Sequence, residues 1–345
     1  MQRGHIDLGT AAAGVAVLLG LALGRGWAAQ ENTNDRIPLR LAYFPNLTHA
    51  PALVGVGGGR YEKDLPRYAI SSRVVNAGPD AMEALLAGEV DLAFVGPSPA
   101  INTYIKSNGD ALRVIAGACS GGASLIARGD LPIASVHDLD GRQVAIPQLG
   151  GTQDVSLRHF LSLNGLKPRE KGGTVSIVPV ANPDILSLFK RRQIDAAWVP
   201  EPWASRLRYE GGGKTAVDER TLWPGGQFTT TVVVVRRAFA NAHPDAVEDF
   251  VRAHVETVAW MQGHEKEAQT IANNELKRLS GKALKSDVLE EAWQNVAFTT
   301  DPNPDSIQAF ALAAREAGYL KAGGPSLTAM VDSRLLVAVA DRGHK

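Results

Sequence analysis

The chain has one cysteine, Cys119, in 345 residues, so no intramolecular disulfide can form. No cysteine follows the apolar N-terminal run to carry a lipid, and a lone thiol in "IAGACSGGA" reads as a small buried residue rather than a nucleophile. An excess of charge is missing too. Lys+Arg and Asp+Glu total 36 each, and no basic cluster alternates with aromatics, which argues against nucleic acid or an acidic membrane surface as a partner. The eight histidines show no H-x-x-x-H or H-E-x-x-H spacing, so no zinc site is expected. "GVGGGRYE" (Gly55–Glu62) does not lie between a strand and a helix start and fails as a dinucleotide loop. "GGGKT" (Gly211–Thr215) has Arg208 where a P-loop needs its first glycine. Ser98 sits in "GPSPA", not in a G-x-S-x-G elbow. These gaps speak against the familiar metal, nucleotide and triad enzymes, and no cofactor is expected.

What is present describes an ordinary globular chain, 45% hydrophobic and 21% charged. Its length exceeds what one core usually holds, so two domains are expected. The N-terminus differs from the rest. "LGTAAAGVAVLLGLALG" (Leu8–Gly24) is uncharged, with Arg3 ahead of it and small residues at Ala28 and Ala29 behind. Residues 1–29 therefore read as an export signal or, because the run is just short of a comfortable span, as an uncleaved anchor. Asp7 and Arg25 depart from the usual signal pattern. Either reading places the folded part in the periplasm or another extracytoplasmic space.

A repeat organises the chain. "AGPDAMEALLAGEVDLAFVGPSPA" (Ala77–Ala100) aligns without a gap on "ANPDILSLFKRRQIDAAWVPEPWA" (Ala181–Ala204) at an offset of 104, with seven identities in 24 positions. In each copy Pro-Asp starts a helix. Met82, Leu85 and Leu86 in one, and Ile185, Leu188 and Phe189 in the other, give it an apolar face. A polar turn then leads into a short strand, "VDLAFV" or "IDAAWV", that ends in a proline-rich corner. Such strand-to-helix corners are where open α/β sheets place ligands. Two copies imply two similar α/β lobes facing one cleft. "ALRVIAGACSGGASLIARG" (Ala111–Gly129) is long enough to pass from one lobe to the other. "RQVAIP" and "GGTVSIVPVANP" read as strands, and "TTTVVVVRRAFA" (Thr229–Ala240) reads as the return strand. Helical periodicity follows from His243 onward, including segments near Val288–Val296, Ser306–Ala317 and Leu327–Val339. Lobe 1 is expected over 37–122 and 229–345, and lobe 2 over 123–228.

Candidate ligand groups sit at the corners. In "FPNLTHAP", Asn46, Thr48 and His49 either face a cleft or form a plain capped helix. If His49 faces an anion, affinity should rise as pH falls through about 6.5. Ser98 either donates to a ligand oxygen or caps its helix. At "CSGGAS", Gly121, Gly122 and Ser124 offer N–H groups and a hydroxyl, or make a simple crossing turn. In "VPEPWAS", Trp203 is placed to lie over an apolar ligand, with Trp198 in the core. Glu201 either meets an amine, repels wrong anions, or caps the next helix. In "AIPQLGGTQD", Gly150 and Gly151 make a turn, and Thr152 either caps the helix or helps Gly151 and Gln153 seat an anion. Small, hydroxyl-bearing and backbone-rich corners suit a binder of small anions better than an enzyme.

The stretches "PNLTHAPALVG", "PQLGGTQDVSLR" and "DERTLWPGGQFTTT", with both repeat copies, resemble the substrate-binding proteins of ABC importers in the aliphatic sulfonate/nitrate/taurine group. The resemblance covers nearly all of the chain beyond the signal. It implies a two-lobed type II periplasmic binding protein fold, each lobe a mixed sheet flanked by helices, with the ligand between them. A sulfonate-like head group would be held by helix N-termini and hydroxyls. Carried over by motif, that points to Asn46, Thr48, His49, Ser98, Gly121, Gly122, Thr152, Gln153 and Trp203. It also implies an ABC permease and its ATPase as partners of a monomeric binder, with no nucleic acid involved. Other relatives of the fold bind nitrate, bicarbonate or thiamine pyrimidine precursors, and some are enzymes acting on chorismate-derived compounds. The export-like start argues against that last, cytoplasmic group.

Overall fold

The computed structural model describes residues 36–343 apart from 134 and 322, so the export segment at 1–29 lies outside the described residues. Ile37–Lys345 forms one compact unit that contains two separate sheets. The strands are β1 (Ile37–Tyr43), β2 (Tyr68–Val74), β3 (Leu92–Val95), β4 (Leu112–Gly121), β5 (Ala123–Arg128), β6 (Gln143–Ile146), β7 (Ser176–Pro179), β8 (Ala196–Pro200), β9 (Gly213–Asp218), β10 (Thr229–Arg236) and β11 (Val296–Phe298). The first sheet runs β11-β4-β10-β3-β1-β2 and the second β7-β6-β8-β5-β9. In the first, β1 pairs parallel with β2 and β3, while β10 lies antiparallel between β3 and β4. In the second, β6 pairs parallel with β7 and β8, while β5 lies antiparallel between β8 and β9. Read in reverse, the second order matches the first strand for strand, except that β11 at the edge of the first sheet has no counterpart. In each sheet the antiparallel strand is the one on which the chain arrives from the other sheet. The first crossing is the single residue Gly122 between β4 and β5, and the second is 219–228 between β9 and β10.

Burial on both faces explains why these strands read as continuous apolar runs. Along β10, Val233 and Val235 enter one core while Val232 and Val234 enter the other. In the second sheet, Leu125, Val144, Ile146 and Trp198 face one side, and Ile126, Ala145, Ala197 and Val199 the other.

The repeat folds as two equivalent units. Helices Gly78–Leu86 and Asn182–Lys190 start at the expected offset, as do β3 and β8. Asp91 accepts from the Arg40 N–H (3.2 Å) and Asp195 from the Gln143 N–H (2.9 Å), each tying its strand to the parallel neighbour. The buried helix face differs from expectation. Ala81, Met82 and Leu85 match Ile185, Leu186 and Phe189, whereas Leu86 is 59% exposed and Leu188 only partly buried. One further residue turns a helix by about 100°, which carries Leu86 off the face.

Two other expectations are corrected. The return strand ends at Arg236, and Arg237–Ala242 is a short helix that buries Phe239. The expected helix at 327–339 is only a turn at Leu327–Ala329 and a helix from Arg334. Between them the chain runs alongside β4, where the Val114 N–H donates to Met330 O and the Asp332 N–H to Val114 O, both at 2.8 Å.

Candidate functional site

Four helices of nine to twelve residues begin at one small cavity between the two sheets. Gly78 and Gly96 bring the starts of Gly78–Leu86 and Pro97–Lys106 from the first-sheet side. Gly151, Thr152 and Gln153 bring Thr152–Leu163 from the other side, and Asn182 brings Asn182–Lys190. None of the four is capped by a side chain. The N–H groups of a first helical turn lack intrahelical acceptors and carry partial positive charge, so four such ends make an electropositive seat. The room is small, about 40 Å³. Among the described residues no Asp, Glu, Lys or Arg lines it.

Thr152 is the decisive side chain. Its sequence position suits a cap or an anion ligand, and it does not cap. Gly151 occupies the cap position, while the Thr152 hydroxyl is buried in the cavity wall without a hydrogen-bond partner. Asn182 Oδ1 and Gln148 Oε1, also in the wall, are buried and unpartnered as well. A buried polar atom left without a partner costs roughly 1–3 kcal/mol, which a bound polar ligand would relieve. The two sides approach closely. A Cβ added at Gly96 would stand 2.1 Å from Thr152 Oγ1, so only glycine fits there.

His49 lines the cavity but adds no charge. Its ring stacks on Phe44 with centroids 4.2 Å apart, and Nδ1 accepts from the Phe44 N–H at 3.4 Å, which leaves the proton on Nε2. Burial lowers its pKa to about 3, so the expected gain of an imidazolium near pH 6.5 does not occur.

The structure thus gathers Asn46, Thr48, His49, Gly151, Thr152 and Gln153 around one cavity. Ser98, Gly121, Gly122 and Trp203 do not line it. Ser98 is one residue from the wall, and its hydroxyl is buried without a partner. Gly121 and Gly122 form the crossing with φ of 75° and 73°, where glycine is favoured. The Gly121 N–H is already engaged on Phe228 O, and Gly122 O accepts from the Glu201 N–H. Trp203 lines an adjoining chamber and donates from Nε1 to Asn46 Oδ1 at 2.9 Å. Glu201 is a cap, accepting from the Ser205 N–H and hydroxyl at 3.0 Å each. The sequence reading missed Asn76, Gly78, Gly96, Gln148, Asn182 and Thr230. Gly78 and Asn182 hold the same place in the two repeat copies, directly before Pro-Asp, and that symmetry was a usable signal. Thr230 reaches the cavity only through the return of β10, which nothing local announces.

Comparison with known proteins gives the family and the fold. The model of the NMT1-like family matches residues 32–274. The taurine-binding periplasmic protein of Escherichia coli (strain K12) is 26% identical over 301 residues, covering 83% of this chain and 89% of that one. Among solved structures, the alkanesulfonate-binding protein SsuA from Xanthomonas axonopodis pv. citri, bound to MOPS, superimposes with a TM-score of 0.72 at 19% identity, covering 87% of this chain and 99% of that one. The periplasmic nitrate-binding protein NrtA from Synechocystis PCC 6803 gives 0.71 at 16% identity, with 89% of each chain covered. The fold is the two-lobed type II fold of periplasmic binding proteins.

Proposed function

Because the chain belongs to the NMT1-like family, we propose that it is the extracytoplasmic solute-binding component of an ABC importer, capturing an alkyl sulfonate and delivering it to a membrane permease. Residues 37–122 with 229–345 would form one lobe and 123–228 the other, closing as a monomer over the ligand. The carrying observation is the buried, unpartnered Thr152 hydroxyl among four uncapped helix starts. A sulfonate stays ionised across physiological pH and needs only donors. The seat supplies donors without a counter-ion, from backbone N–H groups, Thr152, and the Nε2–H of His49.

An enzyme acting on a chorismate-derived compound would need a group to move protons. Among the described residues the only ionisable side chain in the wall is His49, which burial keeps neutral at pH 7. Binding is therefore the better reading. Nitrate, bicarbonate and thiamine pyrimidine precursors are the competing ligands.

Calorimetry with methanesulfonate on Thr152→Val tests the proposal. Loss of one charge-assisted bond should weaken binding roughly 10- to 150-fold. Thermal stability should hold, since the hydroxyl has no partner to lose. Unchanged affinity in the folded variant would remove the anion seat, and tighter binding of nitrate than of methanesulfonate would shift the ligand class.

A further inference from the structure

A second chamber opens beside the seat, and three asparagines, Asn46, Asn76 and Asn182, line both. On the same measure it offers about 420 Å³ against about 40 Å³, room for a ring or several methylenes. Its walls are largely apolar, with Val74, Trp203, Leu276, Leu279 and Leu284 among them. Resting on the sulfonate reading above, we infer that this chamber receives the ligand's tail and selects an uncharged apolar or aromatic tail over one bearing an ammonium.

Continuity names the occupant. The three shared asparagines form a neck through which an anion held at the helix starts can direct its remaining atoms. Charge sets the preference. Among the described residues no carboxylate lines either chamber, whereas Arg206 and Lys282 line the outer one. Three acidic groups on the flanking helices are engaged, while Asp184, next to Pro183, is exposed to solvent and outside the lining. Glu210 is paired with Arg206 at 2.7 Å, Glu275 with Arg278 at 2.7 Å, and Asp80 accepts from Gln148 Nε2 at 3.2 Å. At the neck, Asn46 Oδ1 is taken by Trp203 Nε1, and Asn182 Oδ1 is a single neutral acceptor. An ammonium moved from water to this chamber would lose hydration without gaining a counter-charge. A methyl in its place gains by leaving water. The inference separates this chain from its taurine-binding relative, since taurine carries an ammonium at its far end.

Propane-1-sulfonate and 2-aminoethanesulfonate have the same heavy-atom skeleton and differ in that end group. Calorimetry on the chain lacking residues 1–29 should give propane-1-sulfonate at least about tenfold tighter binding, and hexane-1-sulfonate at least about tenfold tighter than methanesulfonate. Val74→Trp fills the chamber from a position 38% exposed, where the fold tolerates bulk. It should abolish the hexane advantage and leave methanesulfonate within about twofold. If methanesulfonate binds but the amine binds as tightly as propane-1-sulfonate, the tail inference is overturned and the seat stands. If no sulfonate binds, methanesulfonate included, both fall.

Discussion

The corners "GPSPA" and "PEPWA" close the two copies of one repeat, yet they end in opposite electrostatic states. After β3 the helix begins at once, with Gly96 at the cap, no capping side chain, and its N–H groups turned to the cavity. After β8 the helix starts two residues later than the offset predicts, at Trp203. There the Glu201 carboxylate closes the first turn and accepts from Asn295 Nδ2 as well, at 2.7 Å. Glu201 O also receives the Leu47 N–H at 3.1 Å, so this corner binds one lobe to the other instead of binding an anion. A single carboxylate at this corner takes up the kind of helix-start N–H group that the proposed anion seat leaves free at Gly96. The second copy still serves the cavity, but through its earlier corner at Asn182.

The aspartates at the strand starts should show the largest energetic contrast. Asp91 is 1% exposed and accepts from Arg40 Nε at 2.8 Å, Arg40 Nη2 at 2.7 Å and Arg236 Nη2 at 2.8 Å. Burial alone would raise its pKa, but the two guanidinium groups more than offset that and hold it below the ordinary range. Asp195, 19% exposed, keeps the Gln143 N–H and a distant Arg128 at 3.9 Å. Asp91→Ala strands two cations and should cost about 3–5 kcal/mol in urea unfolding, against about 1 kcal/mol for Asp195→Ala. Equal losses would mean that the two copies differ in geometry but not in energy.

The aromatic at the matching strand position sharpens the contrast by pH. Phe94 packs on Phe250 and His254 with no polar demand. Trp198 brings an N–H into the opposite core, where it donates to buried Glu219 at 2.7 Å, alongside the Ser156 hydroxyl at 2.7 Å. Burial raises Glu219 to about 7, with the bonds from Ser156 and Trp198 pulling the other way. A carboxyl raised in the folded state contributes stability that is full below its unfolded value and lost as pH rises through its folded value. Relative to Glu219→Gln, the wild type should therefore lose roughly 3 kcal/mol between pH 4.5 and 8, most of it by about pH 7. Taking the difference cancels the buried histidines His49 and His254, whose lowered pKa values act with the opposite sign. A flat difference across that range would place the Glu219 charge in contact with water.

These contrasts bear on what a sequence reveals. The paired βα units, the crossing near Gly121–Gly122 and the return on β10 follow from local period and from the repeat, both written in the chain. The "QLGGTQD" corner was legible as a glycine turn into a helix start, but the stretch alone left open whether Thr152 caps that helix or faces the cleft. Residue type places Trp203 beside an apolar ligand, and it does line the outer chamber, but nothing local shows that its indole N–H answers to Asn46, far away in sequence. Glu201 and Gly96 share the corner region of their copies, and only three-dimensional packing shows that one caps while the other lies open. Which backbone ends remain free is a property of the assembled cleft, and no local pattern encodes it.

The smallest expected effect is the one at His49, and it tests whether helix ends alone supply the positive charge. His49 is the cap residue of the helix Ala50–Gly57, next to the positive end of that helix, which disfavours an added proton. It is 3% exposed and its face is covered by Phe44. Burial holds it near 3, so a bound sulfonate would have to raise its pKa by more than three units, about 5 kcal/mol, to charge it at pH 6.5. A monoanion already satisfied by four helix starts does not provide that much at one edge of the seat. Methanesulfonate affinity should stay within about twofold from pH 5.5 to 8, because neither partner changes charge in that range. A rise of about tenfold on acidification would instead put an imidazolium on the anion. The seat would then depend on a titrating side chain of the first lobe, and the contrast between its open helix start at Gly96 and the Glu201-capped start in the second lobe would no longer account for where the anion sits.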